Sequence, residues 1–174
     1  MSDAPARAPL RELALGDLSH EMDNTRKVLE RIPTGQLDWR PHEKSFTAGQ
    51  LAQHIANLPM WGRMALEEDG FDFAGPDRPW HRAPAESTED ILELFDERRA
   101  GLEEALAGAS DETLLRTWTL RNGEHVVFSN SKIGTIRTFS LSHMVHHRGQ
   151  MSVYLRLMGV PVPGVYGPSA DERG

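Results

Sequence analysis

The feature that most narrows what this chain can fold into is a stripe near its C-terminal end. Ile136, Phe139, His143, His147, Met151, Tyr154 and Met158 recur at spacings of three and four, the period of an amphipathic helix. Two members of this otherwise apolar stripe are imidazoles. Residues four apart on a helix differ by about 40° in direction and roughly 6 Å along the axis. His143 and His147 therefore project as neighbours from one face, midway along the side that a bundle would bury.

Three earlier segments carry the same period. From about Pro9 to Ile32, Leu10, Leu13, Ala14, Leu18, Met22, Thr25, Val28, Leu29 and Ile32 form one stripe, which Pro33 and Gly35 end. Thr47 and Gln50 form the capping box T-A-G-Q, with Phe46 and Leu51 in the two positions of a hydrophobic staple. The helix that follows presents Leu51, His54, Ile55, Leu58, Trp61 and Ala65, and Pro59 inside it is a candidate kink. After the Pro-rich connection FDFAGPDRPWHRAP, S-T-E-D at Ser87 caps a third helix that carries Ile91, Leu92, Phe95, Leu102 and Leu106 as far as Gly108. The last helix starts between Ser131 and Thr135 and runs to Met158, with Gly159 as its stop. Before it, TWTL and HVVF flank Asn122-Gly123, a hairpin signal that predicts a short ribbon rather than a plain loop.

Four apolar stripes bury most simply against one another, so the expected class is all-α: a four-helix bundle with a short β-hairpin before the last helix. The 174 residues read as a single domain. Residues 1–8 form an Ala- and Pro-rich lead-in, and residues 160–174 an irregular tail that either folds back over the site or meets a partner subunit.

Net charge is −7 and no basic face or arm stands out, which argues against nucleic-acid binding. The chain has no cysteine, excluding disulfides, thiolate ligands and a nucleophile of its own sulfur chemistry. The N-terminal MSDAPARAPL lacks the apolar core of a signal peptide. No run approaches the roughly 18 apolar residues of a membrane span. A cytoplasmic protein is expected.

His54 stands where its stripe calls for an apolar residue, between Leu51, Leu58 and Trp61. An unpartnered buried imidazole costs about 1–3 kcal/mol, whereas structural zinc contributes roughly 10–16 kcal/mol in small peptides. Spacing alone leaves two readings open: hydrogen-bonded core histidines, or His54, His143 and His147 as ligands of one divalent ion. The H-E-x-x-H metalloprotease signature is absent, since Met144 follows His143. His146 lies about 60° away from His143 around the helix and has at most a supporting role. His20, His42, His81 and His125 read as structural or surface residues, and the four tryptophans as packing. Arg148, beside a ligand, is either a carboxylate binder or, more simply, a salt-bridge partner, while Tyr154 reads as core.

The stretches LDWRPHEKSFTAGQLAQHIANLPMW and HMVHHRGQMSVYLRLMGVPVPGVYGPSADE, with the helix order between them, resemble the DinB-like (DinB/YfiT) family over nearly the whole chain. The specific parts are the L-x-x-H-I around His54 and the H-x-x-H-H-R-G-Q from His143 to Gln150. The resemblance implies a bundle of up-down-down-up topology, often a homodimer. It also implies metal ligands at one histidine of the second helix and two of the fourth, here His54, His143 and His147.

Relatives of that fold include transferases and isomerases that use bacillithiol, mycothiol or glutathione. A shared fold does not carry a shared reaction, so three hypotheses stand. The first is a zinc or nickel enzyme acting on a small molecule, by S-transfer from an external low-molecular-weight thiol or, second, by hydrolysis. The second is a damage- or stress-inducible protein whose metal only stabilises or senses. The third is a helical dimerisation module.

Overall fold

The computed structural model describes residues 9–80 and 82–172. The lead-in 1–8, His81 and the last two positions of the tail lie outside the described residues. Three 20-residue helices come first: α1 (Leu10–Leu29), α2 (Ala48–Glu67) and α3 (Thr88–Ala107). A short α4 (Asp111–Leu115) leads into the ribbon β2 (Thr117–Asn122) and β3 (His125–Ser131). The last helical run joins α5 (Lys132–Thr135), a π-helical segment (Ile136–Ser142) and α6 (His143–Leu157). Among the described residues, no helix is long and apolar enough to cross a membrane.

Local chemistry sets most of these boundaries. Thr47 Oγ1 accepts from Gln50 N at 3.1 Å while Gln50 Oε1 accepts from Thr47 N at 2.9 Å. Ser87 and Asp90 make the same reciprocal box at 3.0 and 2.9 Å. Each satisfies two backbone donors that a helix start leaves free. At the end of α6, Val160 N bonds Leu155 O and Gly159 N bonds Arg156 O, the paired bonds of a Schellman stop. The helix α2 continues unbroken through Pro59.

The helices form a ring in which α1 and α2 are diagonal: each packs on α3 and on the last helical run. Contacts Ser19–Glu103, Asp23–Arg99 and Arg26–Asp96 descend α3 as they climb α1, so these two run antiparallel. Glu21 meets Arg148 on a helix parallel to α1, whereas Leu58, His54 and Phe46 meet Ser140, His143 and Tyr154 on one antiparallel to α2. The result is the up-down-down-up order. Leu18, Met22, Leu51, Ile55, Leu58, Ile91, Phe95, Leu102, Leu106, Met151 and Leu155 fill its centre. The exposed ion pairs between α1 and α3 contribute only about 0–1 kcal/mol each; apolar burial holds the ring together.

Three features differ from the sequence expectation. The connection after α2 contains a further strand, β1 (Gly70–Asp72), which pairs parallel to β2 and makes a three-stranded sheet of order β1-β2-β3. The strands approach so closely that a side chain at Gly70 would meet the Thr119 carbonyl at 2.4 Å, so the position needs glycine. The ribbon forms as expected, but Asn122 pairs with His125, so Gly123 (φ +62°) and Glu124 are the central turn residues. A bulge between Leu120 and Arg121 then shifts the register.

The third difference concerns the last helix. Its deepest positions are Ile136, Ser140, Met144, Arg148, Met151 and Leu155, whereas His143, His147 and Tyr154 flank that line half-buried. The π-helical segment bonds i to i+5 and takes more residues per turn than an α-helix. A strict 3.6 count carried across it therefore lands one residue off the buried centre.

Candidate metal centre

His54 comes from the middle of α2, and His143 and His147 from the first two turns of α6. The antiparallel packing of these helices brings the three side chains together, each half-buried. One ligating nitrogen from each lies within 4.8 Å of the other two, and His54 Nε2 is 3.4 Å from His143 Nε2. Two nitrogens each about 2.1 Å from a tetrahedral ion stand about 3.4 Å apart, so this pair already has ligand spacing.

Hydrogen bonds orient the rings. His147 Nδ1 donates to Gln150 Oε1 at 2.6 Å, which leaves its Nε2 as a bare lone pair. The Phe139 backbone beside His143 favours its protonated form against burial, and His143 Nε2 faces His54. Carbonyl and amide partners on the outer ring nitrogen are what metal-ligating histidines normally carry. Burial pushes His54 down from 6.5 to about 4, and His147 and His143 add to the shift. The other two are also lowered, chiefly by burial. All three are neutral at physiological pH, the state a ligand needs. Three neutral, half-buried imidazoles whose nitrogens converge within 4.8 Å fit a divalent cation.

Two clefts meet at this cluster. One of 450 Å³ reaches His54 and His143 and is walled by Trp61, Phe73, Trp80 and Phe139, with Gln53, Asn57 and Arg82. The other, of 410 Å³, reaches His147 and is walled by Phe46, Leu51, Gln150 and Tyr154. Phe46, placed as a staple, is 52% exposed with its ring 6.1 Å from His54, so it borders the site as well as the helix start.

Among the described residues the other histidines do not join the cluster. His146 is exposed, with its ring 4.9 Å from that of His147, and supplies no nitrogen to the cluster. His20 bonds Asn24, His42 accepts from Lys44 N, and His125 is exposed on β3. Arg148 is not a free anion binder. It is 3% exposed and pairs with Glu21 at 2.6 Å, while also donating to Glu21 O, Thr25 Oγ1 and Tyr166 Oη. That last contact shows where the tail goes: Tyr166 donates to Glu21, and Asp171 pairs with Arg156, strapping the tail to α1 and α6. Among the described residues of the tail, none lines either cleft.

Sequence reasoning missed Gln150, Asn57 and the aromatic wall. Gln150 had a signal, its place three residues after His147, one helical turn on. Phe73 and Trp80 had none, because only the pairing of β1 with β2 carries their loop to α2.

The sequence model of the DinB family matches residues 13–173. The chain is 27% identical over 158 residues to the uncharacterized protein YrdA of Bacillus subtilis, covering 87% of this chain and 85% of that protein. A DinB-like protein from Bacillus cereus superposes with a TM-score of 0.68 at 23% identity, covering 89% of this chain and 97% of the other. YfiT from Bacillus subtilis, described as a probable metal-dependent hydrolase with an unusual four-helix bundle topology, superposes at 0.63 and 15% identity, covering 91% and 94%. The fold is shared throughout, and with the family's sequence pattern spanning almost every element from α1 to the tail, the chain belongs to the DinB family.

Proposed function

We propose that this chain is a divalent-metal enzyme, with zinc or nickel held by His54, His143 and His147, that transfers an external low-molecular-weight thiol to a small electrophile. The observation that carries this reading is the convergence of three neutral imidazole nitrogens within 4.8 Å at the meeting point of two clefts. Three nitrogen ligands leave at least one coordination position open, the catalytic rather than the structural pattern. Imidazole suits zinc and nickel alike. A divalent ion bound there supplies Lewis acidity that lowers the pKa of a coordinated thiol or water.

The chain's own residues hold and aim the ligands: Gln150 fixes the His147 ring, and the packing of α2 against α6 sets His143 against His54. Because the protein has no cysteine, the thiol comes from solution. Its S–H proton passes to solvent, a carbon–sulfur bond forms, and the leaving group departs with its bonding electron pair. Among the described residues no carboxylate lines either cleft. A nucleophile ionised on the metal, thiol or water, needs no carboxylate base in the same step, and the aromatic lining of the larger cleft offers an organic electrophile a place beside it. Hydrolysis is the second reading, favoured by the fold likeness to YfiT and its description. A homodimer is proposed as well, with the apolar groove of Leu10, Leu13, Ile133, Ile136 and Leu141 as its seat; sedimentation of the full chain at one protomer's mass would refute it.

Elemental analysis of tag-free protein tests the centre. About one zinc or nickel per chain is expected, lost in His54→Ala, His143→Ala and His147→Ala and kept in His146→Ala. Equal loss at His146 overturns the ligand assignment, and no metal in the parent protein overturns the enzyme reading. Thiol consumption with activated electrophiles, set against ester and amide hydrolysis, then separates the two reactions.

A further inference from the structure

The larger cleft carries more information than its proximity to the histidines. Its wall is built from aromatic rings held against one another. Trp61 stacks on Trp80 at 5.5 Å and 24°, and meets Phe73 and Phe139 edge-on at 6.0 and 5.1 Å. Trp61 is buried, whereas Phe73, Trp80 and Phe139 keep part of their surface open. Such rings offer flat faces and polarised edges, which favour another flat π-system over an aliphatic chain. At 450 Å³ the space is large enough for a small organic molecule.

A second observation is independent of the rings. Asn57, one turn after His54 in the same wall, is 6% exposed. Its Nδ2 donates to Gln53 O at 3.2 Å, which sets the orientation of the amide. Among the described residues its Oδ1 has no partner. A buried acceptor with no donor costs about 1–3 kcal/mol, and an N–H or O–H brought to the wall removes that cost. Among the described residues lining this wall the one arginine or lysine is Arg82, and it is paired with Glu97 at 3.3 Å.

We propose that this cleft is the electrophile subsite and that it takes an uncharged, flat aromatic molecule bearing an N–H or O–H donor, which Asn57 Oδ1 accepts. The assignment rests on the reading of the three histidines as a reactive centre, but the binding itself needs no metal. Aromatic faces set the shape that enters, and the amide oxygen sets which edge points inward past His54.

Benzamide and methyl benzoate are the test pair: both are flat, and only the first has a donor. Binding is measured by calorimetry on the full chain, with and without zinc, with tryptophan fluorescence reporting occupancy. Benzamide binding in both states is expected. Asn57→Leu should lower the affinity ratio of benzamide to methyl benzoate by about five-fold or more, the value of one buried donor–acceptor pair. Asn57→Asp keeps an acceptor and should retain the ratio. Trp80→Ala, in the loop, should weaken both probes by about three- to ten-fold. An unchanged ratio in Asn57→Leu overturns the role of the amide. Absence of binding by either probe, or binding indifferent to Trp80→Ala, overturns the subsite. Because binding is read without metal, a protein that fails to retain zinc leaves this result independent of the reaction proposed above.

Discussion

Replacing Arg148 with Met removes a buried charge whose partner stays behind. Glu21 keeps only 15% of its side-chain surface open, and Arg148 only 3%. Breaking a buried ion pair on one side costs about 3–5 kcal/mol, because the other charge is stranded. Two features reduce the loss here. Tyr166 Oη still donates to Glu21 at 2.8 Å, and Met fills much of the volume that the guanidinium stem leaves. The expected cost is therefore at the lower end, about 3 kcal/mol. For a chain of this length each kcal/mol lowers Tm by about 2–4 °C, so a fall of about 6–12 °C follows.

The assay is thermal and urea unfolding followed by circular dichroism, on Arg148→Met, Glu21→Leu and the double variant. The double variant should be more stable than the sum of the singles requires, since it leaves no orphaned charge. Metal content should stay at the parent level in all three. A loss below about 1 kcal/mol in Arg148→Met, or full additivity, would refute the buried-pair account. Unchanged stability with weakened binding of carboxylate ligands would restore Arg148 as an anion binder.

Three further outcomes follow from the same structure. Lys132 is 1% exposed and donates to the Leu66 and Glu68 carbonyls at the end of α2, so Lys132→Met should lower the unfolding free energy by about 2–3 kcal/mol in urea titration; a loss like that of a surface substitution would contradict this. In the metal-free protein His54 titrates near 4 rather than 6.5 because of burial and its two histidine neighbours. The unfolded chain then binds more protons between these values, so stability is fully present above about pH 6.5 and falls as pH drops toward 4. The urea midpoint should track that fall and flatten in His54→Leu; an unchanged slope would rule His54 out as its source. Gln150→Leu frees the His147 ring and should weaken zinc affinity by about ten-fold or more without unfolding the chain, read by competition with a chelating dye.

Much of this protein was legible one segment at a time. Caps at Thr47 and Ser87, the stop at Gly159 and the turn at Gly123 depend on residues within a few positions, so local chemistry decides them. The pairing of His143 with His147 follows from helix geometry alone, and His54 stood out because it broke an apolar stripe. Burial of Arg148 and Lys132 was not legible in the same way. Charged residues are seldom enclosed, and the partners that make enclosure tolerable lie far off in sequence, at Glu21, Leu66 and Glu68.

The sequence by itself therefore determined the four helices and named three candidate ligands. Tertiary structure decided which residues surround them. The π-helical turn moved the buried line to Met144 and Arg148, leaving His143 and His147 at its edge where a ligand can reach them. Pairing of β1 with β2 carried Phe73 and Trp80 onto α2 and created the aromatic cleft. Both effects arise from contacts between segments tens of residues apart, whose favourable burial exists only once the chain has closed the loops between them.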